Sequence, residues 1–204
     1  MPPEDLGTFF YVLQEDLRIM YVDDDPILRE FAVVHLTTEH ADVRTAEDGL
    51  DALEKLEGEA PDILLLDLEM PRLDGFETLQ RLRADERFAH LPVIVVTSRE
   101  DAAVIDRAYD LGATFFTVKP INWRLLSYEI RYVHRAHLAE VAQRQAQARA
   151  EAAARQAAET LVTVVHESRD FLTLALDTAP SLRPAAATYA AALEDAVNGL
   201  APRP

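Results

Sequence analysis

The stretch 63–67, Ile-Leu-Leu-Leu-Asp, constrains the fold of this chain more than any other, because it is a short apolar run that ends in a carboxylate. Ala-Pro-Asp at 60–62 precedes it, and Pro71 follows closely. A continuous apolar run between such boundaries is typical of a strand that is buried on both faces of a parallel sheet. Ligands of open α/β sheets bind outside the carboxyl ends of the strands. Asp67 is therefore predicted to lie at a ligand-binding edge.

Four further apolar runs alternate with helical patterns around this strand. Predicted strands cover residues 18–22, 43–46, 91–98 and 114–118, and predicted helices cover residues 26–36, 49–56 and 75–84 and a segment around 104–111. In the second helix Leu50, Leu53 and Leu56 are predicted to face inward, and in the first helix Ile27, Phe31, Val34 and Leu36 recur at helical spacing. Five buried strands that alternate with helices predict an α/β fold with a doubly wound parallel sheet.

The pattern changes after Asn122, where strand signals end. Between Ala136 and Ala158, 11 residues are alanine, a composition that favours a solvent-exposed connecting helix or a thin coiled coil. Apolar stripes on either side of Ala179-Pro180 then predict a helical hairpin, which is too small to bury both stripes and so requires a partner, most simply a second copy of itself. The predicted divisions are an N-terminal extension (1–16), the α/β domain (17–121), a connecting helix (122–159) and the hairpin (160–204).

The composition excludes several classes of protein. The chain has no cysteine, so disulfides, thiolate metal sites and thiol nucleophiles are excluded. No apolar run reaches transmembrane length, and a cytoplasmic protein is expected. Residues 1–120 carry 27 of the 36 acidic side chains against 11 basic ones, whereas residues 121–204 carry nine of each. This charge distribution predicts no binding to nucleic acid or to anionic membranes.

Polar side chains stand where the predicted strands end: Asp23 and Asp24, then Asp67, Thr97 and Lys119. Taken singly, each is typical of an ordinary helix cap, strand-end hydrogen bond or solvated residue. Parallel strands, however, bring all of them to one edge, where three carboxylates would repel one another without a divalent cation. Oxygen ligands without His or Cys favour Mg²⁺, whose open positions accept a phosphoryl oxygen. Asp67 is then predicted to be a carboxylate nucleophile that forms an acyl phosphate.

The order and spacing of these residues resemble the receiver domain of two-component response regulators over residues 17–135. The residues that carry the resemblance are Asp23-Asp24, Asp67 with Met70-Pro71 and Gly75, Thr97 and Lys119-Pro120. The resemblance implies a flavodoxin-like sheet of order 2-1-3-4-5 and phosphorylation of Asp67 by a histidine kinase or phosphotransfer protein. It also implies a phosphoacceptor rather than an enzyme, with at most a self-dephosphorylating activity.

Roles of individual residues follow from the same resemblance. Asp24 and Asp67 are expected to bind Mg²⁺ directly, Asp23 through water, and Glu69 through its backbone carbonyl. Lys119 and Thr97 are expected to contact the phosphoryl group. Thr97 and Phe116 match the family's switch, in which a hydroxyl moves toward the phosphate while an aromatic ring turns inward. Phe116 stands where the family often has Tyr or His, so it lacks a hydrogen-bonding tip.

The tail has no basic recognition helix, so output is expected through changed dimerisation or protein binding rather than through DNA. The stretch from His166 to Leu172 resembles the histidine box of the dimerisation and phosphotransfer domain of sensor kinases, although Asp170 and Phe171 replace its usual small polar residue and proline. One alternative function is therefore a phosphorelay protein that uses both Asp67 and His166. The simpler interpretation of His166, which we favour, is a solvent-facing residue beside the apolar stripe.

Overall fold

Five parallel strands alternate with five helices in the part of the chain that the structure describes. The computed structural model describes residues 13, 16–58, 60–178, 181, 184 and 187–192, so most of the predicted extension 1–16 lies outside it. The elements are β1 Leu17–Val22, α1 Pro26–Leu36, β2 Ala41–Ala46, α2 Gly49–Leu56, β3 Ile63–Leu66, α3 Gly75–Ala84, β4 Val93–Thr97, α4 Ala102–Asp110, β5 Phe115–Val118 and α5 Trp123–Thr178.

The strands form one sheet of order β2-β1-β3-β4-β5, in which every neighbouring pair is parallel. The predicted doubly wound sheet and its strand order are therefore confirmed. The register pairs Val22 of β1 with Leu66 of β3, and Thr97 of β4 with Val118 of β5. The carboxyl ends of the strands consequently stand side by side along one edge of the sheet.

The sheet is covered on both faces, which explains why its central strand is apolar throughout. All four residues of β3 are buried. Leu64 and Leu66 belong to one core cluster with residues of α2, α3 and α4, whereas Ile63 and Leu65 belong to a second cluster with residues of α1 and α5. Since successive side chains of a strand point to opposite faces, an unbroken apolar run is what a doubly covered strand requires.

Aspartates begin four of the helices. Asp25, Asp48, Asp74 and Asp101 are the N-caps of α1 to α4, and the side chain of each accepts a backbone N–H from the first turn of its helix. Such caps satisfy N–H groups that have no partner within the helix and typically stabilise it by about 1 kcal/mol. Part of the acidic composition of residues 1–120 is therefore structural.

The structure corrects the inward face predicted for α2, and in α1 it shows which of the apolar residues are buried. Leu50 is 42% exposed, because the buried face of α2 is formed by Gly49, Ala52 and Leu56. A residue next to Gly49 is turned by about 100° from that face. In α1 only Ala32 and Leu36 are buried, whereas three other apolar residues at helical spacing are exposed: Ile27 by 60%, Phe31 by 46% and Val34 by 63%. In both helices the buried face combines small residues with one leucine, so the size of an apolar residue does not show which face is buried.

The last helix spans the division predicted between residues 159 and 160, which stays a prediction. Helix α5 runs from Trp123 to Thr178 without interruption, and the described residues divide into two compact units between Glu140 and Val141. No Gly or Pro occurs between residues 123 and 178, so the alanine-rich segment and the first apolar stripe favour one helix. Most of the second predicted helix of the hairpin lies outside the described residues.

Gly75 is required where α3 begins beside the end of β3. A Cβ atom at this position would lie 2.1 Å from the carbonyl oxygen of Asp67 and 2.7 Å from the Cα atom of Leu68. Because both atoms belong to the backbone, we expect Gly75→Ala to lower the free energy of unfolding by about 1–3 kcal/mol or more. Urea denaturation measures this change.

The matched control is Gly58→Ala, because the nearest atom to a Cβ there is the Lys55 carbonyl oxygen at 3.6 Å. We expect this variant to stay within about 0.5 kcal/mol of the parent chain. Equal losses in the two variants would contradict the steric explanation for Gly75.

Candidate functional site

Asp67 is the first residue after β3, and it lies in a nearly closed position at the sheet edge. Asp67 is only 5% exposed, and its backbone N–H donates to the carbonyl oxygen of Val22 at 2.9 Å. The N–H of Leu68 donates to its Oδ1 atom at 2.7 Å, and that of Glu69 does so at 3.4 Å. The turn after β3 thus directs two backbone N–H groups toward this carboxylate.

The acidic residues after β1 differ in their surroundings. Asp23 is fully buried: its Oδ2 accepts the hydroxyl of Tyr21 at 2.7 Å, and its Oδ1 accepts the N–H of Asp25 at 2.9 Å. Asp24 is exposed. The guanidinium of Arg29 donates to the backbone carbonyls of both residues, at 2.7 and 2.9 Å, and so fixes the turn between β1 and α1.

These three aspartates meet, as the strand-end pattern predicts. One carboxylate oxygen from each of Asp23, Asp24 and Asp67 lies within 4.8 Å of the other two. The Nζ atom of Lys119 is 2.8 Å from Oδ2 of Asp23 and 2.8 Å from Oδ2 of Asp67. The lysine therefore neutralises part of the repulsion that the sequence pattern attributed to a cation alone.

Burial and ion pairing act against each other in this cluster. Burial raises the pKa of Asp67, and the hydrogen bond from Lys119 reverses this effect only in part. Burial by itself would lower the pKa of Lys119, but the hydrogen bonds to Asp23 and Asp67 outweigh it and raise that pKa. Burial, together with the charge of Asp23, also raises the pKa of Tyr21, so its hydroxyl stays a donor. The cluster thus holds an ammonium ion between two carboxylates.

Thr97 and Lys119 are joined through the backbone. The N–H of Lys119 donates to the carbonyl of Thr97 at 2.9 Å, which extends the pairing of β4 with β5 by one residue. Thr97 is fully buried, and its Oγ1 atom accepts the N–H of Arg99 at 3.4 Å. The structure therefore brings Thr97 to the same edge as Lys119 and the aspartates.

Phe116 and Glu69 are the two remaining residues predicted for the site, and neither side chain belongs to the aspartate cluster. Phe116 is partly buried and packs against the core cluster formed with α2, α3 and α4. Glu69 is exposed and lies two residues beyond Asp67. The switch role of Phe116 and the ligand role of the Glu69 carbonyl stay predictions.

Tyr21 is a site residue that the sequence analysis did not single out. Its hydroxyl is fully buried and donates to Asp23, two residues further along the chain. Side chains two residues apart in a strand share a face, so a tyrosine in an otherwise aliphatic strand just before an acidic pair was an available signal. The sequence pattern assigned Tyr21 to the core by its apolar character alone. Its ring does lie in the core, but its hydroxyl belongs to the site.

The donor set fits Mg²⁺. All three side chains offer oxygen atoms, and neither His nor Cys occurs among them. Mg²⁺ typically takes one or two carboxylates and keeps several waters, and an exposed Asp24 beside two buried aspartates leaves one side of the cluster open to water. The residues that would hold the ion are Asp24 and Asp67, with Asp23 behind them.

The family model for the response regulator receiver domain matches residues 19–131, which is more than half of the chain. The chain belongs to this family. Among curated relatives of this receiver chain, RpaA of Synechocystis, named a DNA-binding dual master transcriptional regulator, is 35% identical over 52% of the chain and 44% of its own length. The response regulator PleD of Caulobacter vibrioides is 36% identical over 65% of the chain and 30% of its own length. The chain thus spans less than half of either relative.

Solved structures of receiver proteins share the fold. The chemotaxis protein CheY4 of Vibrio cholerae is 28% identical, with a TM-score of 0.55 over 57% of this chain and 97% of its own. A CheY-like receiver domain protein of Methanospirillum hungatei is 26% identical, with a TM-score of 0.57 over 60% of this chain and 97% of its own. Both likenesses cover nearly the whole neighbour, which agrees with a receiver domain as one part of this chain.

His166 lies in the second compact unit of this receiver-containing chain, on α5. It is exposed, and its Nδ1 atom lies 3.0 Å from the carbonyl oxygen of Val162 one turn earlier. This contact within the helix is compatible with a solvent-facing histidine. Among the described residues, no helix combines the length and the apolar character needed to cross a membrane.

Because its pKa is raised, the charged form of Asp67 is predicted to lower the free energy of unfolding, by an amount that depends on pH. When folding raises the pKa of a carboxyl group, the protein loses stability as the pH rises from the pKa of the unfolded state to that of the folded state. The loss persists at higher pH. We therefore expect Asp67→Asn, in EDTA, to raise the free energy of unfolding at pH 7. The gain should shrink as the pH falls from the raised pKa of folded Asp67 toward the ordinary carboxyl range, and it should be absent below that range. Urea denaturation at a series of pH values measures it.

Asp62→Asn is a control of opposite sign. Burial alone would raise the pKa of Asp62, but its hydrogen bonds from Arg18 outweigh burial and lower it. A lowered pKa contributes stability at neutral pH that is lost in acid, so this variant should be less stable than the parent at pH 7. A loss of stability in both variants would show that the charge of Asp67 carries no net cost.

Proposed function

We propose that this protein is a response regulator that accepts a phosphoryl group on Asp67 from a histidine kinase or a histidine-containing phosphotransfer protein. The observation that carries the proposal is the convergence of Asp23, Asp24 and Asp67 within 4.8 Å, with Lys119 bonded to two of them. Membership of the receiver family supports it. The protein is then a phosphoacceptor of the cytoplasm rather than an enzyme with an external substrate.

In the transfer step an oxygen of Asp67 attacks the phosphorus of the donor phosphohistidine. An O–P bond forms while the N–P bond breaks, and the donor imidazole leaves with the electron pair of that bond. Mg²⁺, held by Asp24 and Asp67, would supply positive charge to the phosphoryl oxygens. Asp23 and the Tyr21 hydroxyl hold the buried side of the cluster, so that Asp67 and the exposed Asp24 face the donor.

Lys119 would pair with the negative charge of the phosphoryl group on Asp67. Its ammonium group is already 2.8 Å from Oδ2 of Asp67, so a short movement brings it to an oxygen of a phosphoryl group on that carboxylate. A lysine acts on phosphate as a compact charge with rotatable donors. Thr97 is joined to Lys119 by a backbone hydrogen bond, and its hydroxyl would donate to the same phosphoryl group. Phe116 would respond by turning inward.

We further propose that output passes through the helical tail and not through DNA. Among the described residues, five large apolar side chains of α5 beyond Glu159 are between 42% and 71% exposed: Leu161, Val162, Val164, Phe171 and Leu174. Residues 121–204 carry equal numbers of acidic and basic side chains, which argues against a phosphate-binding face within them. RpaA is named a DNA-binding protein, but its alignment covers only 44% of its length. An exposed apolar helix surface favours a protein partner, most simply a second copy.

The phosphoacceptor assignment predicts the labelling of single variants. We expect the parent chain to be phosphorylated by acetyl phosphate in the presence of Mg²⁺, and Asp67→Asn to lose this labelling to the limit of detection, because the attacking carboxylate is absent. Phosphate-affinity gels and intact-protein mass spectrometry measure the label.

His166→Gln is the matched control, since it removes the only other phosphoacceptor that the sequence suggested. It should be labelled like the parent chain, both by acetyl phosphate and by a phosphorylated histidine donor. Full labelling of Asp67→Asn would overturn the assignment. Loss of phosphoryl flow in His166→Gln would instead favour the phosphorelay alternative.

The tail assignment predicts a dimer in solution. We expect sedimentation equilibrium to give about twice the chain mass of 22.8 kDa. The double variant Val164→Gln/Phe171→Gln should weaken the dimer by at least about tenfold, because both side chains lie on one side of α5 and are more than half exposed.

The variant Glu159→Gln/His166→Gln changes residues that are turned by about 140° around the helix axis from that side, and it should leave the dimer intact. A monomeric mass for the parent chain, both alone and with beryllofluoride as a mimic of the phosphoryl group, would contradict dimerisation through the tail.

A further inference from the structure

Trp123 is the first residue of α5 and the only tryptophan of the chain. Its ring contacts the ring of Tyr21 on β1, with 6.1 Å between the centroids and 54° between the planes. It also stacks on the imidazole of His35 on α1, with 5.4 Å between the centroids and 12° between the planes. Helix α5 therefore begins at a side chain that packs against both β1 and α1.

Tyr21 joins this aromatic contact to the carboxylate cluster. Its hydroxyl donates to Oδ2 of Asp23 at 2.7 Å, and the same oxygen lies 2.8 Å from Nζ of Lys119. A movement of Lys119 to a phosphoryl group on Asp67 would take the ammonium group away from this oxygen, while the hydroxyl of Tyr21 stays bonded to it. Because a buried carboxylate oxygen that loses a partner is costly, the bond from Tyr21 must then carry more of its stabilisation.

The ion pair and the aromatic contact form a closed circuit, since Lys119 precedes Trp123 by only four residues. One half of the circuit runs from Asp23 to Lys119 through their ion pair and on along residues 120–122. The other half runs back from Trp123 to the ring of Tyr21, and from its hydroxyl to Asp23. A displacement of Lys119 therefore acts on Trp123 from two directions.

Hydrogen bonds hold the segment that links Lys119 to α5. The N–H of Lys119 donates to the carbonyl oxygen of Thr97 at 2.9 Å. The side chain of Asn122 accepts the N–H of Leu125 at 3.1 Å, as a helix cap does. A short segment that is bonded at both ends and packed on a dense core passes a displacement on rather than absorbing it.

The contacts of Tyr21 and Trp123 lie apart from the residue predicted to act as the aromatic switch. Phe116 packs against the core cluster that includes residues of α2, α3 and α4. Tyr21 and Trp123 pack in the cluster that includes residues of α1 and α5, on the other face of the sheet. The inward turn expected of Phe116 does not involve these two rings, so they offer a second route from the site.

We propose that Tyr21 is a positioning residue that couples the occupancy of the carboxylate cluster to the packing of Trp123 at the start of α5. The inference rests on the phosphoacceptor function proposed above and specifies how that site acts on the helix that carries the proposed output surface. When a phosphoryl group on Asp67 takes up the ammonium group of Lys119, the bond between Tyr21 and Asp23 adjusts and the ring contact changes with it. Such coupling is reciprocal, so a change at Trp123 also alters the affinity of the site for its ligand.

Trp123 reports on its own surroundings, because no other tryptophan contributes to the emission. The full chain is saturated with Mg²⁺ and beryllofluoride, bound beryllofluoride is quantified by fluorine NMR, and tryptophan emission is recorded. We expect the emission of the parent chain to change. Tyr21→Phe keeps the ring and loses only the hydroxyl bonded to Asp23, so at equal bound beryllofluoride it should show at most about a third of that change.

Tyr128→Phe is the matched control, because it removes the hydroxyl of a tyrosine on α5 that is 41% exposed. Its emission should change as much as that of the parent chain. Unchanged emission of the parent chain at full occupancy, or equal changes in Tyr21→Phe and the parent, would overturn the inference and leave the proposed function in place. Absence of bound beryllofluoride from the parent chain would overturn the proposed function, and the inference with it.

A second measurement tests the reciprocal effect and does not depend on Tyr21→Phe. Trp123→Leu loses the ring contact with Tyr21, so its dissociation constant for beryllofluoride at saturating Mg²⁺ should differ from the parent value by at least about threefold in a fluorine NMR titration. Leu125→Ala changes the same helical turn at a residue that is 53% exposed and should keep the parent value. The parent dissociation constant in Trp123→Leu would overturn the inference.

Discussion

The ion pairs of Lys119 are the contacts on which the site depends. Asp23 and Asp67 are almost completely buried, and a buried carboxylate without a partner is costly. A single ammonium group, 2.8 Å from each of them, satisfies both. Burial of Asp67 outweighs this pairing, so the pKa of its carboxyl still lies above the ordinary value. The cluster combines three carboxyl groups with one ammonium group, and a divalent cation would supply the further positive charge.

The strand order explains why a lysine performs this function. Lys119 follows β5 and Asp67 follows β3, so the side chain must cross the end of β4. Neighbouring strands lie about 4.8 Å apart, and a long flexible side chain is needed to cover two such spacings. Thr97 ends the strand that is crossed, and its small side chain is buried there. The long residue on β5 and the small one on β4 are thus two parts of one arrangement.

Most of the α/β fold could be predicted from the sequence, because a strand covered on both faces must be apolar throughout, and 63–66 meets that condition. The strand ends then predicted which side chains meet. The contact of Tyr21 with Asp23 could not be found by apolar pattern, since it depends on a hydroxyl inside the core. Leu50 was placed wrongly because residue size does not show which side of a short helix is buried. The length of α5 was not predicted, because the division between residues 159 and 160 was drawn from a change in composition, whereas the helix continues across that change.

Asp23, Asp24 and Asp25 show how identical side chains acquire different chemistry. The strand directs Asp23 into the protein, where Tyr21 and Lys119 hold it. The next residue lies in the bend that follows the strand and is exposed, and one of its carboxylate oxygens lies within 4.8 Å of those of Asp23 and Asp67. The third begins α1 and accepts the N–H of Ile27 as its cap. The backbone conformation at the end of one strand therefore separates a buried anchor, an accessible ligand and a helix cap, although the sequence at these three positions is uniform.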